Sequence, residues 1–288
     1  GDAGCVLAGG VEQMSQIPYV NRKVRFDGLR MGNFEFEDNL TSALTDAYAG
    51  MPMAITAENL GEKYDITRQA CDEHAIQSQK KYKDALEKNY FAAEISPVKV
   101  TIKKAEVIFE KDEHPKPEST LEKIQTLKSL FKKDGLVTAA TASGIVDGAA
   151  CSLLASENFA KAKGLKPLAR VVSWAYVGCD PKIMGIGPAP AARKALEKAG
   201  LKLEQMDLIE VNEAFSSQFL AVTKELKLDP ARTNVNGGAI AVGHPLGASG
   251  TRIMNHLVYE LQRRGGKYGL GSACIGGGQG IAIIIERV

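Results

Sequence analysis

Residues 234–250 read NVNGGAIAVGHPLGASG. The glycines surround one ionisable side chain, His244. Glycine around a lone titratable group lets the main chain come close to a ligand or to another loop. Residues 249–264 follow with Ile253, Leu257, Val258 and Leu261 at helical spacing. The loop therefore leads into a helix, whose N-terminal N–H groups and positive dipole end face it. Two readings are open at this point: a strand–turn–helix joint with an ordinary loop histidine, or a ligand-facing loop in which His244 does the chemistry.

Working outward from this loop, elements alternate regularly. The pattern predicts strands over residues 168–177 and 207–211, helices over 189–200 and 213–226, and a hairpin-like pair at 268–273 and 280–286. Strands alternating with helices define an α/β layered fold. Further upstream, residues 1–10 read as a buried core strand running into a glycine turn, and residues 149–156 as a strand core. A polar stretch, EQMSQIPYVNRKVRFDGLRMGNF, shows little periodicity. A helix is predicted over 67–88, with Cys71, Ala75, Ser78, Tyr82 and Leu86 on one face. Cys71 and His74 have no further ligands nearby, so a packed helix face is favoured over a metal pair. Residues 96–109 predict a strand or hairpin with one exposed face. Ser119-Thr120-Leu121-Glu122 has the form of a capping box opening a short helix.

Composition removes several classes. The chain has 288 residues, 44% hydrophobic and 24% charged, which is the globular average. A net charge of +2 argues against a nucleic-acid protein. No apolar run reaches the roughly 20 residues of a membrane span. Five scattered cysteines without a CxxC pair fit free thiols, and four dispersed histidines argue against a metal centre.

Three glycine-bearing or polar junctions follow predicted strands: Asn212-Glu213-Ala214-Phe215, Gly243-His244-Pro245, and Cys274-Ile275-Gly276-Gly277-Gly278-Gln279-Gly280. Ligands of open α/β sheets bind at the carboxyl ends of the strands. An amide, an imidazole and a thiol converging there would supply a hydrogen-bond donor, a proton acceptor and an acid–base group. Glycines after Cys274 would free N–H groups for an oxyanion hole. Each junction also has an ordinary reading: Asn212 as a helix cap, Cys274 as a buried cysteine, and CIGGGQG as a hairpin turn.

NEAF, GGAIAVGHPLGASG and SACIGGGQG, in this order, resemble the three C-terminal motifs of the thiolase family. DAGCVLAGGVEQMS, PMAITAENLGEKY and VTAATASGIVDGAA extend the resemblance over nearly the whole chain. PMAITAEN, CDPKIMGIGP and ELQRRGGKY are similar to the mitochondrial 3-ketoacyl-CoA thiolases of fatty-acid β-oxidation. The biosynthetic acetoacetyl-CoA thiolases usually carry histidine where this chain has Pro52.

The resemblance implies a thiolase-like α/β layered fold of two similar βαβ halves, the N-terminal half incomplete. It places the N-terminal domain remainder at 1–166, with a loop domain inserted at about 15–135, and the C-terminal domain at 167–288. It implies an acyltransferase that cleaves 3-ketoacyl-CoA with CoA. The alternatives are condensation of two acetyl-CoA units and a non-catalytic acyl-CoA-binding fragment. His244 would activate the nucleophilic cysteine, Asn212 would complete an oxyanion hole, and Cys274 would be the general acid–base. The Gly276 N–H would line a second oxyanion hole. A thiol that normally titrates near 8.5 suits Cys274's role, with His244 expected to lower it. Ser143, Lys116 and Ser119 would contact CoA, a co-substrate rather than a tightly bound cofactor. Thr141 replaces a family asparagine. A homodimer or homotetramer in the mitochondrial matrix is implied, with no nucleic-acid or membrane-spanning partner. The family's acyl-accepting cysteine lies in a CxSG-type context that Cys5, Cys151 and Cys179 lack. The chain is thus expected to be N-terminally incomplete and to lack its nucleophile.

Overall fold

The computed structural model describes residues 2–22, 24–28 and 31–288. Gly1 of the first strand reading, and Lys23, Leu29 and Arg30 of the polar stretch, lie outside the described residues. In chain order, the elements that build the site are β1 (Cys5–Gln13), α1 (Met53–Lys63), α2 (Arg68–Glu87), β2 (Val98–Ile102), β3 (Ala105–Phe109), α3 (Leu121–Gln125) and β4 (Asp147–Ala155). They continue as β5 (Ala169–Gly178), α4 (Pro188–Ala199), β6 (Leu208–Val211), α5 (Ser216–Leu226), α6 (Leu246–Arg264), β7 (Tyr268–Ile275) and β8 (Gln279–Arg287).

The second half is organised by a sheet in the order β6-β7-β8-β5, with β6 and β7 parallel and the other pairs antiparallel. On one face, α4 and α5 lay Ala192, Ala195, Phe219 and Val222 against Ile209, Leu270 and Ile284. On the other, Ile253, Leu257 and Leu261 of α6 meet Leu208 and Ile285. Full burial of each such aliphatic side chain contributes about 1.5–3 kcal/mol, so the predicted helical stripe on residues 249–264 holds α6 on the sheet.

α6 also touches a second layer, the antiparallel ribbon of β1 and β4, registered from Cys5↔Ala155 to Gln13↔Asp147. A Cβ on Gly10 would stand 1.8 Å from the Gly247 carbonyl oxygen, so glycine is what lets the start of α6 seat there. The far face of the ribbon is bare: Leu7 is 72% and Val11 70% exposed. The two expected strands therefore form, as Cys5–Gln13 and Asp147–Ala155, but are not a buried core. Among the described residues the ribbon is two-stranded, with both edges open and one face packed.

α2 follows its predicted span, with Thr67 accepting the Ala70 N–H at its start. Cys71, Ala75, Ser78 and Tyr82 are buried, whereas Leu86, in the last turn, is exposed. The 96–109 region is a hairpin turning on Lys103 and Lys104, both at positive φ. Both of its faces are exposed rather than one: Val98, Ile102, Val107, Ile108 and Phe109 all remain open to solvent. The cap of α3 sits one residue later than predicted: the Thr120 hydroxyl, not that of Ser119, accepts the Lys123 N–H at 3.4 Å.

Candidate active site

β6 and β7 run in parallel with Val211 opposite Ser272, and the Asn212 N–H donates to the Ser272 carbonyl at 2.9 Å. Asn212 therefore leaves the carboxyl end of β6 at the edge where β7 goes on to Cys274. Directly after it, Glu213 is 1% exposed. Its carboxylate accepts from Ser78 Oγ at 2.8 Å, Asn234 Nδ2 at 2.9 Å and the Ile240 N–H at 3.1 Å. His74 Nε2 stands 3.5 Å away, with its ring stacked on Phe219. Burial opposes this charge, yet His74, Asn234 and Ser78 hold the carboxyl below the usual glutamate range. Asn234 also exchanges two hydrogen bonds with the Val211 backbone, both 2.9 Å. These contacts dock the 234–250 loop onto the strand end. Glu213 and Asn234 were missed as functional positions; the signal was a second acidic residue just past a short buried strand that already carries Glu210.

The loop brings His244 to Asn212, with Nε2 3.1 Å from Asn212 Nδ2. Nδ1 lies 2.6 Å from Ser249 Oγ, which in turn lies 2.8 Å from the Pro245 carbonyl oxygen. A carbonyl can only accept, so the single Ser249 proton goes to Pro245 and the hydroxyl oxygen accepts Nδ1–H. This network assigns the tautomer: Nε2 carries the lone pair and accepts from the Asn212 amide. Asn212 Oδ1 is buried without a partner. Burial, reinforced by the Arg252 charge, pushes the His244 imidazole down to about 4. A base lowered in this way is neutral near pH 7. Its contribution to stability is complete above the ordinary histidine value and is lost as pH falls through about 4. Histidine NMR titration should place His244 near 4; a midpoint at or above 6 would contradict this environment.

A wall from the small-residue segment closes the other side of the loop. The His244 N–H donates to the Gly144 carbonyl at 3.2 Å, and the Ser143 N–H to Ala214 at 3.0 Å. A Cβ on Gly243 would meet Val146 at 2.6 Å. Thr141 is self-sufficient in place of asparagine: its hydroxyl accepts the Thr138 N–H and donates to the Leu136 carbonyl, both at 2.8 Å.

Cys274 sits on the same strand edge but hydrogen-bonds to neither Asn212 nor His244. Burial, with a smaller effect from Cys179, pushes its thiol up to about 12. The expected lowering by His244 is not seen: the residue is half-buried, desolvation of its sulfur outweighs the other influences, and neither His244 nor a cation acts on the thiol. Both His244 nitrogens are taken by Asn212 and Ser249, so no described cysteine is hydrogen-bonded to it. Gly276 opens the turn at 276–278, where Gly277 and Gly278 have φ of +82° and +80°. The Gly277 N–H donates to Asp46 Oδ2 at 2.7 Å, and Met53 lies against Gly276. Asp46 had no sequence signal; it is recruited from far up the chain.

Of the remaining expected residues, Lys116 and Ser119 lie on a strap beside the wall. The Lys116 N–H donates to Gln79 Oε1 at 2.9 Å, and the His114 ring occupies the space a Cβ on Gly144 would need. Ser119 donates its N–H to Lys116 O, and its hydroxyl is not the α3 cap. The strap reaches the wall but does not touch Asn212 or His244. No group of three or more His, Cys, Asp or Glu among the described residues could hold a metal ion. No helix among them is long and apolar enough to cross a membrane.

The thiolase N-terminal domain model matches residues 1–158 and the thiolase C-terminal domain model residues 165–287. The chain belongs to the thiolase family, and its mixed α/β architecture is the thiolase fold. It is 57% identical to mitochondrial 3-ketoacyl-CoA thiolase of Mus musculus over 99% of this chain and 72% of that protein. It is 48% identical to acetyl-CoA acetyltransferase of Rhizobium meliloti over 100% of this chain and 73% of that protein. The crystal structure of human mitochondrial 3-ketoacyl-CoA thiolase superposes with a TM-score of 0.97 at 55% identity, covering 100% of this chain and 73% of that one. Its complex with CoA gives 0.95 at 54% identity, covering 100% and 72%.

Proposed function

We propose that this chain supplies the acid–base side of a 3-ketoacyl-CoA thiolase, which cleaves 3-ketoacyl-CoA with CoA to acetyl-CoA and a shortened acyl-CoA. The observation that carries the reading is the Asn212–His244–Ser249 chain, which leaves the lone pair on Nε2 facing the Asn212 amide, at the strand edge that holds a protonated Cys274. A cysteine thiolate, its proton taken by His244 Nε2, adds to the C3 carbonyl. The C2–C3 bond breaks and its electron pair forms the acetyl-CoA enolate. Cys274 gives its proton to C2 and, as thiolate, takes the proton of the CoA thiol; the CoA sulfur then takes the acyl group from the thioester, and the released cysteine recovers its proton from His244. A thiol raised by burial keeps its proton until an enolate appears, which suits cleavage. Asn212 and the protonated His244 stabilise one oxyanion and the Gly276 N–H the other. Ser143, Lys116 and Ser119 contact CoA, with Lys116 a point charge for a phosphate.

The domain division at 166/167 with an inserted loop domain at about 15–135, a homodimer or homotetramer, and a mitochondrial matrix location belong to the same proposal. The two family models, one ending at 158 and the other starting at 165, support the division, and relatives named mitochondrial support the location; the loop domain and the oligomer rest on the family resemblance. Because no described thiol hydrogen-bonds to His244, the 288-residue chain is expected to bind CoA by calorimetry yet give no thiolysis. Turnover by this chain would show that one of its own cysteines serves as nucleophile. In an assembled active enzyme, preference for 3-ketoacyl-CoA substrates longer than four carbons separates this reading from acetyl-CoA condensation.

A further inference from the structure

Behind the Asn212–His244 pair lies a second polar cluster. His256, on α6, is buried between two carboxylates from different parts of the chain. Its Nδ1 is 2.8 Å from Glu94 Oε1, in the turn at 89–95 that follows α2, and its Nε2 is 4.0 Å from Glu210 Oε1 on β6. The Asn236 amide lies 3.4 Å from Nε2, and Phe91 packs against the ring with centroids 5.8 Å apart. Arg252 and Glu260 face the cluster from α6 itself, Asp112 from the strap, and Glu213 and Lys81 act on Glu210.

A neutral imidazole spends its one N–H on Glu94 and brings no positive charge to Glu210, whose Oε1 at 4.0 Å lies beyond hydrogen-bond distance. An unpaired buried carboxylate is costly. An imidazolium donates from both nitrogens and neutralises one charge. Asn236 would then turn its oxygen toward Nε2–H. Desolvation opposes the proton on His256, but Glu94 and then Glu210 outweigh it and raise the imidazole above its ordinary value. Burial also pushes Glu210 up to about 7, so the two groups titrate as a coupled set.

We propose that His256 is a positioning residue, a buried proton-dependent clasp that fastens the turn at 89–95 to the strand delivering Asn212 and the loop delivering His244. Glu210 stands two residues before Asn212, and Asn236 lies in the His244 loop. One proton thus ties three segments of the site's scaffold together. A group raised in the fold gives its full stabilisation below the unfolded value of 6.5 and loses it as pH rises through the folded value. Above that point Glu94 and Glu210 face each other across a neutral ring, and the turn loosens. Its consequence for catalysis rests on the proposed roles of Asn212 and His244; the clasp itself does not.

The test needs no turnover. The chain has four histidines, so selective ring labelling resolves each by NMR. His256 should titrate above 6.5, and Glu94→Gln should lower its midpoint by about one pH unit or more. Amide exchange in residues 89–95, corrected for intrinsic rate, should rise by about tenfold above the wild-type midpoint. In His256→Gln it should be fast at every pH. A His256 midpoint at or below 6.5, or one unmoved by Glu94→Gln, overturns the clasp. So does exchange in 89–95 that is indifferent to pH. If the clasp titrates as stated while the acid–base reading of Cys274 fails, only the proposed function falls.

Discussion

Acetyl-CoA bound to this chain is expected to exchange its α-protons with D2O, and Cys274→Ala is expected to slow that exchange by roughly 10²–10⁴-fold. The reaction isolates the half of the chemistry that the chain carries: a base at C2 and donors for the enolate oxygen, with no acyl-enzyme required. A thiol pushed up to about 12 exists as thiolate only in a small fraction near neutrality. That fraction grows about tenfold per pH unit below the folded value, so the exchange rate should climb without a plateau for as long as the fold survives. A plateau between pH 8 and 9 would mean that water reaches the sulfur and that burial does not set its acidity. Exchange that is unchanged in Cys274→Ala, with circular dichroism preserved, would remove Cys274 from the acid–base role. His244, pushed down to about 4, should contribute no inflection between pH 5 and 8.

Glu213→Ala should lower the unfolding free energy by about 3–5 kcal/mol, the usual cost of breaking a buried charged cluster. The substitution strands four groups at once: Ser78 Oγ, Asn234 Nδ2, the Ile240 N–H and His74. Glu213→Gln, which keeps one acceptor oxygen, should cost less. Because the fold lowers this carboxyl, its stabilisation is complete above the ordinary glutamate value of 4.5 and fades as pH falls through the folded value. Urea titrations at pH 7 measure the effect directly. A loss below about 1 kcal/mol would mean that the 234–250 loop is held by packing alone. A further consequence is positional: the same contacts fix the loop, so His244 should lose its titration near 4 in the Ala variant as its ring meets water.

Much of the site was readable because it is local. NEAF and CIGGGQG each follow a strand, and the parallel β6–β7 pair brings their carboxyl ends to one edge; GHP follows a short helix, Ala239–Val242, and not the strand expected for it. The helix over 249–264 follows from four apolar residues at helical spacing. Where the reading failed, neighbours decided. The ribbon of β1 and β4 has apolar residues on both faces, which reads as a core strand, but only the α6 side is covered. Ser119 and Thr120 are both capping residues; the backbone turn at Thr120 selected the second. The acidity of Cys274 depends on how much water its surroundings exclude, and no spacing in a sequence reports that.

By itself the sequence determined the layered α/β class, the family, and the residue types at the strand ends. Periodicity and motif spacing are properties of a few consecutive residues, so the chain carries them openly. Only the tertiary structure decided the protonation states and the supports. His244 owes its lone pair to Ser249 and its low basicity to burial, Cys274 keeps its proton because burial disfavours the thiolate, and Asp46, His256 and the partners of Glu213 enter from distant segments. Desolvation and long-range hydrogen bonding arise when residues far apart in sequence are packed together, which is why they appear only in the folded chain.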